Sequence, residues 1–300
     1  MASRRWLAAM LLALSAARAQ VGIEPRPKPT HPNLRAESNL VLVPVTVVDV
    51  RNHPVTGLER ENFRVFDDGV ERRITAFAME DEPVALGLIF DHSGSVAGIR
   101  RNEARTTSMF LATSNPEDDY FLVVFASRPE LTVPLTNGKE EVQYRILSTK
   151  WGGSTALYDG VILGLNELKK STLNRKALLV VSDGGENNSR YNHREVERIV
   201  EESDALIYAI GFQSDQANFP LLKWMSELSG GRAIPAQAQD MADIAAKIAL
   251  ELRNRYVLGF PAAEIPRDGK LHSLRVQLIA PHGMPQLKVS WRRSYRAPEN

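Results

Sequence analysis

Val84-Ala85-Leu86-Gly87-Leu88-Ile89-Phe90-Asp91-His92-Ser93-Gly94-Ser95 is an unbroken apolar run that stops at a carboxylate and two hydroxyls. A run of that kind, without polar alternation, fits a strand buried on both faces of a mainly parallel sheet. Phe121 to Ala126, Ala177 to Val181 and Ala205 to Ile210 have the same character. Between and after them lie stretches with helical spacing: Gly98 to Thr113, Glu140 to Ser148, Leu157 to Lys169, His193 to Glu202, Phe219 to Leu228 and Met241 to Leu252. In the last, Met241, Ile244, Ile248 and Leu252 recur at steps of three and four, one buried stripe. Strand alternating with helix predicts a doubly wound α/β domain over 82–252, with helices flanking a mainly parallel sheet.

On either side the pattern is β. Asn39 to Val50 is dominated by valines, and Arg64 to Phe66 and Glu71 to Phe77 flank the turn Asp67-Asp68-Gly69. Beyond the α/β stretch, Arg255 to Gly259, Leu271 to Ile279 and Leu287 to Trp291 read as short strands. The ends of a domain commonly lie close together, so the segments 39–81 and 253–296 are expected to pack into one small β-sandwich around the insertion.

Ligands of open α/β sheets sit beyond the carboxyl ends of the strands. Three loops there draw notice: Asp91-His92-Ser93-Gly94-Ser95, Gly152-Gly153-Ser154-Thr155-Ala156 and Ser182-Asp183-Gly184-Gly185-Glu186. Carboxylates and hydroxyls are hard oxygen donors suited to Mg²⁺, Mn²⁺ or Ca²⁺, and there is neither cysteine nor paired histidine for zinc. Neutral hydroxyl ligands leave the ion much of its charge, and Mg²⁺ retains waters, so that a position stays exchangeable for an outside carboxylate.

Asp91-x-Ser93-x-Ser95, then Thr155, then Asp183-Gly184, in that order and after those strands, resembles the metal-ion-dependent adhesion site of von Willebrand factor type A domains, over about Val84 to Leu252. Pro54 to Leu58, Phe63 to Gly69 and Tyr256 to Phe260 are similar to the bacterial von Willebrand factor A-related proteins of Acidobacteria. The resemblance implies hydroxyl ligation by Ser93, Ser95 and Thr155, and ligation by Asp91 and Asp183, direct or through water. It also implies a protein partner whose Asp or Glu completes the ion's coordination. An alternative reading is a scaffold with a vestigial or purely structural metal site, and a metal-dependent hydrolase ranks last.

Plainer roles compete for individual residues. Asp91, Ser93, Ser154 or Thr155 can cap the helix that follows, and Asp159 suits a helix N-terminus. His92 is expected exposed beside the ion, and Asp118-Asp119 in a solvated turn. Asp67-Asp68-Gly69 lacks the further oxygens of a calcium loop. No nucleophile elbow, triad or phosphate loop is present, so the chain reads as a non-enzyme.

The 300 residues carry 37 Lys and Arg against 36 Asp and Glu, a formal charge of +1 that lacks the basic field nucleic-acid binding requires. Residues 1–19, a basic start followed by the apolar run Trp6 to Leu14 and Ala17-Arg18-Ala19, read as a secretory signal peptide, and the proline-rich 20–38 as a linker. No later segment is long and apolar enough to span a membrane, so the mature chain is expected in the periplasm or outside the cell. Nothing in the pattern specifies an oligomeric state.

Overall fold

The computed structural model describes residues 40–149, 152–212, 214, 217–284 and 286–297. The signal peptide and linker read from the sequence lie outside them.

At the centre is a six-stranded sheet built from β5 (Val84–Asp91), β6 (Asp119–Phe125), β7 (Pro129–Thr136), β8 (Arg175–Ser182), β9 (Leu206–Phe212) and β10 (Ala233–Ala236). Their spatial order is β10-β9-β8-β5-β6-β7, and all pair in parallel except β7, which runs antiparallel to β6. The apolar run that opens the domain is buried along its whole length. Its residues alternate between two cores. Leu86, Leu88 and Phe90 join one with helices α1 (Arg100–Thr113), α2 (Lys139–Ser148) and α6 (Met241–Arg253). Ala85 and Ile89 join the other with α3 (Leu157–Leu168), α4 (His193–Glu202) and α5 (Phe219–Ser229). At Gly87 a methyl group would collide with Phe121 and Leu178, so the absent side chain sets how closely β6 and β8 pack across it.

The flanking segments form two four-stranded antiparallel sheets. One has the order β13-β1-β11-β4, from β1 (Leu40–Val48), β4 (Ala76–Glu80), β11 (Arg255–Pro261) and β13 (Lys288–Trp291). The other has the order β14-β12-β2-β3, from β2 (Phe63–Asp67), β3 (Val70–Arg72), β12 (Leu271–Leu278) and β14 (Ser294–Arg296). Val43, Val45, Val65, Leu258, Phe260 and Val276 belong to the core between them. The α/β domain is inserted between β4 and β11, which are sheet neighbours with Arg255 opposite Glu80. An insertion entering and leaving at paired residues leaves the sandwich ladder unbroken, which is why the sequence can interrupt it by so many residues.

Three strands have no counterpart in the sequence reading: β7, β10 and β14. β7 contains Pro129 and Pro134, which an edge position tolerates because one side of the strand needs no ladder bond. The segment Glu71 to Phe77, read as one strand, is broken at Arg73–Thr75, and its two halves join different sheets.

Candidate metal centre

β5 and β8 are adjacent, and their last residues bring Asp91 and Ser182 together: the Ser182 hydroxyl donates to Asp91 Oδ2 at 2.6 Å. Asp91 Oδ1 accepts the Ser93 N–H at 2.9 Å, which folds the loop back over the strand end. Ser93 Oγ and Ser95 Oγ are 3.2 Å apart, and the Ser95 hydroxyl donates to Asp183 Oδ2 at 2.9 Å. Four of the five candidate ligands are thereby joined into one hydrogen-bonded set.

The fifth, Thr155, stands in the neighbouring loop just before α3. The Gly94 N–H donates to the Gly153 carbonyl at 3.1 Å, tying that loop to the first, and the Thr155 N–H donates to Asn187 Oδ1 at 2.9 Å. Thr155 is buried, and its hydroxyl makes no hydrogen bond among the described residues. It does not cap α3, and neither does Ser154. The first N–H groups of that helix are taken by Glu186 Oε2, 2.9 Å from the Tyr158 nitrogen, and by Ser189 Oγ, 3.1 Å from the Asp159 nitrogen. Asp159 in turn accepts from the Arg190 backbone and guanidinium, at 2.9 and 3.0 Å, and holds the β8–α4 loop against α3.

Asp91 and Asp183 are each about 1% exposed or less, and no basic side chain pairs with either among the described residues. Burial pushes the Asp91 carboxyl up to about 6; the hydrogen bonds from Ser182 and Ser93 oppose the rise and the charge of Asp183 adds to it. Two buried carboxylates without a counter-charge, set among hydroxyls, have the chemistry of a hard divalent-cation site, so the donor set fits the ion the sequence pattern implies.

Two expectations are corrected here. His92 is not exposed beside the loop: it is 1% exposed, and its Nε2 lies 3.0 Å from Oε2 of Glu103 on α1, also buried. Its backbone is held in both directions, the N–H by Phe125 O and the carbonyl by the Gly152 N–H, so the ring turns under α1. Asp118 is not solvated either. It is 2% exposed and accepts the N–H groups of Val84 and Asn115 at 2.7 and 3.0 Å, locking the start of β5.

Sequence reasoning placed Ser182 at the start of a sheet-edge loop but gave it no role, and it missed Ser214, for which no local signal existed. The Ser214 hydroxyl donates to Asp183 Oδ2 at 2.5 Å from the loop after β9.

A second cluster lies in the sandwich, where Asp67, Asp68 and His272 place ligand atoms within 4.8 Å of one another. The buried Asp67 is already saturated: Oδ1 accepts from His272 Nδ1 and the Tyr295 hydroxyl, both at 3.0 Å, and Oδ2 pairs with the Arg72 guanidinium at 2.8 Å. Burial pulls the His272 pKa down, but the hydrogen bond and charge of Asp67, with the charges of Asp68 and Asp268, outweigh it and the net shift is upward. The group is a charge network joining β2, β3, β12 and β14.

Residues 86–186, the stretch that holds all five candidate ligands, match the family model of the von Willebrand factor type A domain. This part of the chain is a von Willebrand factor type A domain. A von Willebrand factor type A structure from Catenulispora acidiphila superposes with a TM-score of 0.51 at 8% identity, covering 86% of this chain and 72% of that one. BatB from Bacteroides thetaiotaomicron has a TM-score of 0.47 at 14% identity over 56% of this chain and 98% of its own. The corresponding values for the vWF domain of the type V pili tip protein Mfa5 of Porphyromonas gingivalis are 0.46, 14%, 57% and 95%. No curated protein matches the sequence. The type A domain is a protein-interaction module. None of its described helices is long and apolar enough to cross a membrane.

Proposed function

We propose that the protein is an exported, non-enzymatic binding module. A divalent cation, Mg²⁺ in the first instance and otherwise Mn²⁺ or Ca²⁺, held by Asp91, Ser93, Ser95, Thr155 and Asp183, captures an Asp or Glu side chain of a partner protein. The observation that carries this reading is the linked set Ser93–Ser95–Asp183 at 3.2 and 2.9 Å beside Asp91, with two buried carboxylates and no basic partner among the described residues. The bound ion supplies an electrophilic position for an incoming carboxylate. The residues' part is to hold it while contributing few negative charges, so that its attraction for an outside anion survives. Export rests on the character of residues 1–19.

A second reading, a scaffold without a working ion site, draws on Asp183, whose oxygens already take hydrogen bonds from Ser95, Ser214 and the Gly185 N–H. Titration calorimetry of Mg²⁺ and Mn²⁺ into the chelator-treated mature protein separates the two. Micromolar to millimolar binding that disappears in Asp183→Ala supports the metal-dependent module. Absence of binding, or binding unchanged by the substitution, moves the function to the scaffold.

A further inference from the structure

β13 and β10 are each the last strand of their sheet, and both line one cavity of about 400 Å³ where the sandwich meets the type A domain. A face of α5, with Phe219, Lys223 and Glu227 at successive steps of four, makes the third wall. Each strand bonds one neighbour, β13 to β1 and β10 to β9, so the N–H and C=O groups on the outer side of each have no strand partner among the described residues.

The two edges are not equivalent. Pro235 removes an N–H from β10, whereas β13, Lys288-Val289-Ser290-Trp291, has no proline and can serve as a template over Lys288 to Ser290, short of its Trp291 end. Gly230, at φ +88°, lies against the backbone of Trp291 and Arg292, holding β13 to the α/β domain at that end. The charges around this edge are one-sided. Arg232 is neutralised by the buried Glu251, and Lys223 lies 3.8 Å from Glu227, the one acid lining the cavity among the described residues. Lys288 and Arg293 are exposed and enter no ion pair among the described residues; the Arg293 guanidinium lies 4.4 Å from the Trp291 ring centre.

A strand edge bracketed by two exposed cations that enter no ion pair among the described residues has the properties that strand addition uses: main-chain hydrogen bonds give affinity and side-chain charge selects the partner. We infer that the open edge of β13 docks an extended acidic segment of a partner protein, which joins the sheet as an additional antiparallel or parallel strand. At a rise of roughly 3.3 Å per residue, a segment of about four residues matches the length of β13. Lys288 and Arg293 repel the same edge of a second copy, which directs the site toward another chain. The site is separate from the candidate metal centre and needs no ion.

The test is fluorescence anisotropy with a labelled peptide of sequence Glu-Val-Glu-Val-Glu-Val and the whole protein. Saturable binding is expected that persists in chelator and in Asp183→Ala, and that weakens about tenfold or more in the double variant Lys288→Glu, Arg293→Glu, since each reversal replaces an attraction with a repulsion. Methylating alternate peptide nitrogens, which removes main-chain donors while keeping the charges, is expected to abolish it. Both substituted side chains are exposed, and an unchanged circular dichroism spectrum and melting temperature establish that the double variant is folded. No saturable binding at millimolar peptide, or equal binding by the methylated peptide or the double variant, overturns the inference. Binding lost in chelator or in Asp183→Ala places the peptide at the metal centre and overturns it equally.

Discussion

Ser182 Oγ at the end of β8 lies 2.6 Å from Asp91 Oδ2 at the end of β5 and also accepts the Gly184 N–H at 2.9 Å. One hydroxyl thus ties together the two strand ends that supply the acids of the candidate centre. A hydrogen bond to a charged group contributes about 1.5–3 kcal/mol, and its loss leaves a buried carboxylate short of a donor. Ser182→Ala should lower unfolding free energy by about 2 kcal/mol in urea titration and weaken Mg²⁺ binding, although Ser182 is not a proposed ligand. Unchanged stability would show that Asp91 finds another donor.

Gly184 has φ +81°, and a Cβ there would collide with the carbonyl oxygen of Asn218. Gly184→Ala therefore forces both a left-handed alanine, costing about 1–2 kcal/mol, and a shift of the loop. The adjoining Asp183 moves with it. The variant should lose metal affinity in calorimetry with every ligand side chain still present, and its melting temperature should fall.

Asp67 is the common acceptor of Arg72, His272 and Tyr295, which reach it from three other strands of the sandwich. Removing one partner of a buried charge network costs about 3–5 kcal/mol because the other charges are left unpaired. Asp67→Ala should open the sandwich to limited proteolysis at a lower temperature. Chelator should leave the stability of the parent sandwich unchanged, as expected of a network already neutralised by Arg72; chelator-sensitive proteolysis there would instead mark the Asp67, Asp68 and His272 group as a cation site.

Burial pushes the Asp118 carboxyl up to about 6, with the Val84 and Asn115 N–H groups opposing the rise. The folded state therefore binds this proton more tightly than the unfolded chain, whose carboxyl titrates near its ordinary value of about 3.9. The favourable contribution is fully present below about pH 4 and is lost as pH rises through about 6. A shift of about two units corresponds to roughly 3 kcal/mol between those limits, as an order of magnitude. Asp118→Asn removes the titration, so the stability difference, parent minus variant, should fall steadily between pH 4 and pH 6 in urea titrations. A difference that is flat with pH would place the Asp118 pKa at its ordinary value.

Three of these side chains show where sequence reading stops. Asp91 and Asp183 stood out because one ends an apolar run and the other follows one by two residues, and a strand buried on both faces delivers the residues at its end to the sheet edge. His92, between them in the same pattern, was read as exposed because a residue's position in a loop does not say which way its ring turns. Its direction is set by Glu103, eleven residues on, and by backbone bonds to Phe125 and Gly152.

The sequence by itself determined the succession of strands and helices, the α/β character of the middle, the β character of both flanks and the three loops that meet at the sheet edge. Those follow from local periodicity and from where apolar runs end, which the chain carries residue by residue. Only the tertiary structure decided that Ser214 reaches Asp183, that Glu186 caps α3, that His272 joins Asp67 across 205 residues, and that β10 and β13 come last in their sheets among the described residues and line one cavity. Such pairings depend on which elements become neighbours when their apolar faces are buried together, and that choice is made by packing over the whole chain.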